Sequence, residues 1–350
     1  MIKRMTLLTA ALIGACCLAE PAVAAPEPAK PAPPAAVIPQ IPVVDSVEVE
    51  TVVDNFYDAF QKEEKGAKRV LLANADSWED VRLQAEMGLA YIIKVKVGKE
   101  EHVILYDFGL SQSVYENNLK HLKADLSKAE ALVLSHGHQD HYGGIYWASQ
   151  QTKMPLYVGG EDAFAHRVFT PAGRQVEFGT LDRTALAKTS KIIIATQPTI
   201  IAGVALSTGE IPHVTAYEKV PLAFKMEKAG ALIQDPITHE QALIFNVKGK
   251  GLVIVVACAH AGVVNTIEYA KRITKETRIL AVLGGLHLTA ATNDVIDKTI
   301  AAIKASGAQF IAPMHCTGQR AIARFQKEMP DAYIQQSVGT RYVFDASTKP

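Results

Sequence analysis

Short apolar runs broken by turn residues dominate the pattern of this chain. VEVETVVDNF (47–56) is rich in β-branched residues and predicts a strand. LAYIIKVKV (89–97) and HVILYDFG (102–109) predict a hairpin that turns at Gly98-Lys99-Glu100. A polar helix over 113–123 then leads to the strand ALVLS (131–135). In the second half, ALIFNV (242–247) and GLVIVVACAH (251–260) predict paired strands. Gly262 precedes a helix with Val263, Val264, Ile267, Ala270 and Ile273 on one face. RILAVLGGLHL (278–288) and QFIAPMHC (309–316) are further strands. The helix between them starts near Asp294, with Thr292 or Asn293 as its cap and Gly307 as its stop. A helix over 317–328 follows, and the last strand is either YIQQSV or RYVF. Strands early in each half and strand–helix units later predict an α/β fold, two packed sheets with helices outside. Residues 150–235, with isolated short strands and polar turns, read as an insertion or lid.

The two ends of this pattern differ from its middle. MIKR, the apolar stretch MTLLTAALIGACCLA and Ala22-Val23-Ala24 have the form of a cleavable signal peptide over 1–24. That predicts export to a periplasm or beyond, with lipid anchoring through Cys16 as the alternative. The proline- and alanine-rich stretch over 25–45 reads as a tether, and the folded body spans 46–350. Later segments lack the roughly 18 uninterrupted apolar residues of a membrane helix. The chain has 350 residues and zero formal net charge, so its charge balance does not favour nucleic acid. A small-molecule partner is expected, and the sequence is silent on oligomeric state. Of four cysteines only Cys258 and Cys316 lie in the body, which excludes a disulfide scaffold and leaves one disulfide or a metal role open.

The chemistry lies where apolar runs stop. ALVLS ends in His136-Gly137-His138-Gln139-Asp140-His141, GLVIVVA in Cys258-Ala259-His260, ILAVLGGL in His287, and QFIAPM in His315-Cys316. Sheets collect ligands where loops leave the carboxyl ends of their strands, so each run delivers an imidazole to one edge. On a helix His136 and His138 would point about 200° apart, whereas a tight loop eased by Gly137 presents both to one ion. Gly143-Gly144 lets the chain turn into its next segment. His136 and His138 would share one metal, with Asp140 and His141 facing a second. Imidazole and carboxylate donors fit zinc, iron or manganese. His102, His121 and His166 read as ordinary satisfied polar residues.

LSHGHQDHYGG resembles the HxHxDH signature of the metallo-β-lactamase superfamily, which implies an αββα sandwich with one or two divalent metal ions. VDNF, ILYDFG, STGEIP (207–212), VVACAHAGVVNTI (255–267), GGLHL and APMHCTG (312–318) are similar to one branch. That branch is the 7,8-dihydropterin-6-methyl-4-(β-D-ribofuranosyl)aminobenzene-5′-phosphate synthase family. The resemblance implies that His136, His138, Asp140 and His141 are ligands, that His260 completes the first metal and that His315 completes the second. Cys258 stands where many relatives carry a bridging aspartate, so either its thiolate bridges or solvent alone does. The branch's Glu-His-Gly-Leu-Ser becomes Glu86-Met87-Gly88-Leu89-Ala90, and His213 and His239 replace its usual residues. These changes are expected to cluster in the substrate pocket.

The expected function is that of an exported metal-dependent hydrolase directing a metal-bound hydroxide at a phosphoester, phosphodiester or lactone. Asp140 would orient that hydroxide, and His287 would donate a proton or bind an anionic substrate. The alternatives are an iron-dependent oxidoreductase on the same fold and a non-catalytic metal- or ligand-binding protein.

Overall fold

The computed structural model describes residues 38–349. The signal-peptide reading of 1–24, Cys16 and the first part of the tether lie outside the described residues. The end of the tether is ordered. Val43–Val44 pairs in parallel with Asn246 and Val247, and Ile41 and Val44 are buried, so the folded body begins within the proline-rich stretch.

Eight strands form one sheet, in the order Ile192–Ile194, Leu156–Val158, Ala129–Leu134, Glu100–Tyr106, Ala90–Val97, Ser46–Val53, Arg341–Asp345 and Ala67–Lys68. The other runs Thr199–Ile201, Ala205–Ser207, Leu243–Val247, Gly251–Val255, Ile279–Gly285 and Phe310–Met314, with Val43–Val44 added on Leu243–Val247. The expected hairpin pairs Tyr91 with Tyr106 and Val97 with Glu100, and Gly98 takes φ +60° in its turn. The last strand is Arg341–Asp345, while Tyr333 makes only an isolated bridge to Ile311.

Apolar residues of both sheets interdigitate in one buried layer that includes Val49, Tyr91, Ile104, Phe245, Val253, Leu283 and Phe344. Helices cover the outer faces. Val263–Thr274 and Asn293–Ala305 bury Ile267, Ile273, Ile296 and Ile300 against the second sheet, and Tyr115 and Ile145 cover the first. Alternating strand faces and helical stripes dictate this stacking, because each element has a single apolar side to bury. Thr292 caps the second of these helices through the Val295 amide, as its sequence implied.

Residues 150–235 divide between layers. Leu156–Val158 and Ile192–Ile194 extend the first sheet, and Thr199–Ile201 and Ala205–Ser207 extend the second. Arg167–Phe169, Val176–Glu177, Phe224–Lys228 and Ala231–Gln234 form a separate four-stranded sheet.

One polar residue sits badly on the first sheet. Glu50 is 5% exposed, and burial pushes its carboxyl up from 4.5 to about 7 despite Lys94, 3.9 Å away, and the Arg341 charge. The folded state therefore favours the protonated acid. Stability is full below the unfolded pKa of 4.5 and falls as pH rises toward about 7, because the folded chain holds a proton the unfolded chain has released. Glu50→Gln is expected to raise stability at pH 8 by about 1–3 kcal/mol and to change it little at pH 4.5. Urea denaturation at the two pH values checks this, and an equal effect at both would refute the assignment.

Candidate metal centre

Six strand ends meet at one edge of the sandwich. In the first sheet Ser46–Val53, Glu100–Tyr106 and Ala129–Leu134 run in the same direction and end at Asp54, Asp107 and Ser135. In the second, Gly251–Val255, Ile279–Gly285 and Phe310–Met314 are mutually parallel and lead to Cys258 and His260, His287, and His315. Codirected strands must open their following loops on one side, so residues more than 200 positions apart become neighbours.

The ligand atoms of His136, His138 and His260 lie within 4.8 Å of one another, and so do those of Asp140, His141 and His315. Cys258 falls within the same distance of the His136–His141 pair and of the His260–His287 pair. Both cysteines are buried free thiols, so the disulfide alternative is not what the fold adopts. Cys258 Sγ stands 3.2 Å from His141 Nε2, and burial pushes its thiol up. The fold thus brings every expected ligand to one place, while His102 and His166 bind Glu130 and Thr180 elsewhere.

Hydrogen bonds set which ring nitrogen faces inward. Asp107 accepts from the Ser135 amide and hydroxyl, both at 2.7 Å, so Ser135 Oγ accepts in turn from His136 Nδ1 at 2.8 Å. Asp107 Oδ2, which takes the Ser135 hydroxyl, also accepts from His141 Nδ1 at 2.7 Å. Glu240 accepts from His260 Nδ1 and from the amides of His260 and Ala261 at 2.8–2.9 Å. Asn55 Oδ1 takes His315 Nδ1 at 3.2 Å, and Asp54 takes the His315 amide at 2.9 Å. The rings of His136, His141, His260 and His315 therefore spend their Nδ1–H outward. The Nε2 atoms of His136, His138 and His260 are buried without a partner. Burial, reinforced by neighbouring imidazoles, lowers the pKa of all three, which keeps them neutral with electron pairs converging. Converging unshared pairs are costly unless a cation receives them, so this donor set fits a divalent metal.

The second set balances differently. Burial alone would raise the Asp140 carboxyl, but His141 and His315 outweigh it and hold it below the usual carboxylate range. Burial alone would lower His315, yet Cys316 and Asp140 push it up to about 9. Asp140 Oδ2 lies 3.4 Å from His315 Nε2 and Oδ1 lies 3.7 Å from His141 Nε2. A cation bound here would displace the His315 proton, so uptake should release acid.

Sequence reasoning missed the residues that aim the ligands. Asp54 and Asp107 each follow directly on an apolar strand, a signal that was visible; Glu240, remote from His260 in sequence, carried none. Asp107, Ala259, His287 and His315 all hold positive φ, a concentration of backbone strain that marks a site over-determined by its surroundings. Gly143 and Gly144 act through close approach and not through turning freedom. Their φ is not positive, and a Cβ would strike Leu110 and Tyr115. At Gly137 a Cβ would collide with the Ala163 carbonyl.

The residues that depart from the branch pattern do not share one pocket. Met87 is half exposed, in the segment beneath the Asp140 loop, where Leu89 N donates to Asp140 O. His239 is buried against Gly159 and Gly160, with Nε2 3.1 Å from Arg167 Nη2. His213 is exposed, on the lining of an open surface cavity that also includes Val220 and Leu222. Phe178 and Phe224 close over His138 with ring centroids 4.9 Å away, and Phe224 lies 5.5 Å from His287.

Glu240→Gln is expected to weaken metal binding about 10–100-fold, since an amide can no longer accept all three N–H groups as a charged oxygen pair. Competition with a chromophoric chelator measures it; unchanged affinity would remove Glu240 from the site.

Comparison with known proteins agrees with this geometry. The profile of the metallo-beta-lactamase superfamily matches residues 83–226. A Methanocaldococcus jannaschii protein named 7,8-dihydropterin-6-methyl-4-(beta-D-ribofuranosyl)-aminobenzene-5'-phosphate synthase is 28% identical over 268 residues, covering 73% of this chain and 89% of that protein. A second, uncharacterised protein of the same organism is 26% identical over 244 residues, covering 69% of this chain and 88% of its own length. A solved structure named as a metal-dependent hydrolase of the beta-lactamase superfamily superposes with TM-score 0.67 at 22% identity, over 84% of this chain and 98% of that one. With its paired sheets, outer helices and histidine-rich edge, the chain has the metallo-β-lactamase fold, and its residues 83–226 are similar to the superfamily of that name.

Proposed function

We propose that this protein is an exported metal-dependent hydrolase of small molecules. The observation that supports this reading most is the convergence of the unpartnered Nε2 atoms of His136, His138 and His260 beside Asp140, His141 and His315. The first three would hold one divalent ion and the last three a second, with Cys258 within reach of both sets. Zinc suits imidazole, carboxylate and thiolate donors together; iron and manganese are the competitors. A divalent ion so held supplies Lewis acidity, bringing the pKa of water down to about 7.

The chain's own residues do the rest. Asp140, ionised at neutral pH, accepts a hydrogen bond from the attacking water and fixes its direction. His287, half-buried with Nδ1 unpartnered and its ring 4.3 Å from that of His260, is placed to pass a proton to the leaving group. Phe178 and Phe224 shield His138 from bulk water.

A phosphoester, phosphodiester or lactone suits this arrangement. Elemental analysis of untagged protein, joined to turnover of p-nitrophenyl phosphate, bis-p-nitrophenyl phosphate and lactones, tests the proposal. No turnover at full metal loading would refute it, as would abundant iron with oxygen consumption. The 28% identity to a named synthase favours one second reading, a synthase reaction on a dihydropterin-type compound. The leader pattern over 1–24 supports export, and a mature protein beginning at Ala25, read by mass spectrometry, would bear it out. An uncleaved chain would refute it.

A further inference from the structure

We infer that the part of the substrate bound beside His287 is an uncharged apolar group of acyl or alkyl type, held in a groove leading outward to Leu222. The substrate class rests on the hydrolase reading; the binding groove does not. An inner cavity of about 240 Å³ is lined by His260 and His287 together with Leu286, Leu288 and Val295. It shares Glu218, Lys219 and Pro221 with an outer, more open cavity bordered by Val220 and Leu222. The two make one path from the candidate metal centre to the surface, where Leu222 is 72% exposed.

An anion would ordinarily be the natural guest here, because the helix Val263–Thr274 begins at Gly262 on the cavity wall. That position is already taken. The Glu218 carboxylate accepts from the Val264 and Asn265 amides, each at 2.9 Å, and from Thr215 Oγ1 at 3.0 Å. Asn265 Oδ1 in turn accepts from the Val214 and Thr215 amides, pinning that segment in place. The chain has thus supplied its own anion to the helix terminus, and a second would meet its charge. Lys219 is the sole lysine or arginine among the described residues lining either cavity, and it is exposed. The reacting group can be polar where it meets the metal ligands, but the walls beyond His287 reward apolar burial.

The test compares binding of short and long product-like ligands to the metal-loaded protein by calorimetry: acetate against hexanoate, and methylphosphonate against hexylphosphonate. Full burial of a methylene is worth roughly fourfold in affinity, and in a half-open groove the six-carbon ligands are expected to bind at least about tenfold more tightly. Val295→Asp, at a half-buried first-turn position of Asn293–Ala305 where a negative charge suits the helix, should cut that ratio below about threefold. Leu222→Ser, on the exposed rim, should lower it about twofold without risk to folding. Val214→Ser, outside both linings, should leave it unchanged. Equal affinity for short and long ligands, or a preference that survives both Val295→Asp and Leu222→Ser, overturns the inference. Turnover that ignores chain length would overturn the groove and spare the hydrolase; chain-length-dependent binding without turnover would do the reverse.

Discussion

Replacing His138 with alanine is expected to empty the first metal position and reduce turnover by at least about a thousandfold, several kcal/mol of transition-state stabilisation. Its Nε2 is one of three unpartnered donors, and the other two, His136 and His260, have ring centroids 4.5 and 4.8 Å from it. Two imidazoles cannot hold a divalent ion as three do, and His287 groups with His260 and Cys258 and not with His136. The substitution should not unfold the protein, because it removes a buried, unpartnered Nε2 whose burial, reinforced by the neighbouring imidazoles, already lowers the His138 pKa. Metal content by mass spectrometry, kinetics and a thermal melt separate the outcomes. Retained metal with activity within tenfold of the parent would sink both the ligand assignment and the mechanism.

The largest stability effect is expected at Asp235. Arg167 is almost wholly buried and its Nε donates to Asp235 Oδ2 at 2.8 Å, while its Nη1 holds the carbonyls of Ala163 and Ala165 at 2.9 Å. Asp235→Ala would leave a buried guanidinium without its counter-charge, at a cost of about 3–5 kcal/mol. The same guanidinium fixes the 162–165 turn whose Ala163 carbonyl packs on Gly137, so metal affinity should fall as well. Urea denaturation measures the first effect and chelator competition the second. A loss under about 1 kcal/mol would mean that water or backbone carbonyls satisfy Arg167 without the carboxylate. Replacing the pair by apolar residues of similar volume, Arg167→Met with Asp235→Leu, should recover much of the loss, which separates the cost of a stranded charge from that of a void.

Much of the site was legible because its signals are local. Three histidines and an aspartate within six positions leave few readings other than a shared cation, and the loop after Ala129–Leu134 presents them as expected. Strands, caps and stops were readable for the same reason: Thr292 and Gly98 act on backbone groups within a few residues. The aiming residues were not. Glu240 reaches His260 across 20 positions and Asn55 reaches His315 across 260. Such pairs follow from strand direction and order, which no window of sequence contains. The glycines misled in a different way, since Gly143 and Gly144 look like turn residues but are required by the neighbours Leu110 and Tyr115.

The sequence by itself determined the elements, the two-sheet class and the chemical types of the ligands, because propensity, periodicity and donor chemistry are properties of residues and their near neighbours. Only the tertiary structure decided that His136, His138 and His260 lie within 4.8 Å, that Glu218 fills the helix terminus beside them, and that Met87, His213 and His239 occupy three different places. The physical reason is that codirected strands of two packed sheets open on one edge, and which residues meet there depends on how the whole chain pairs.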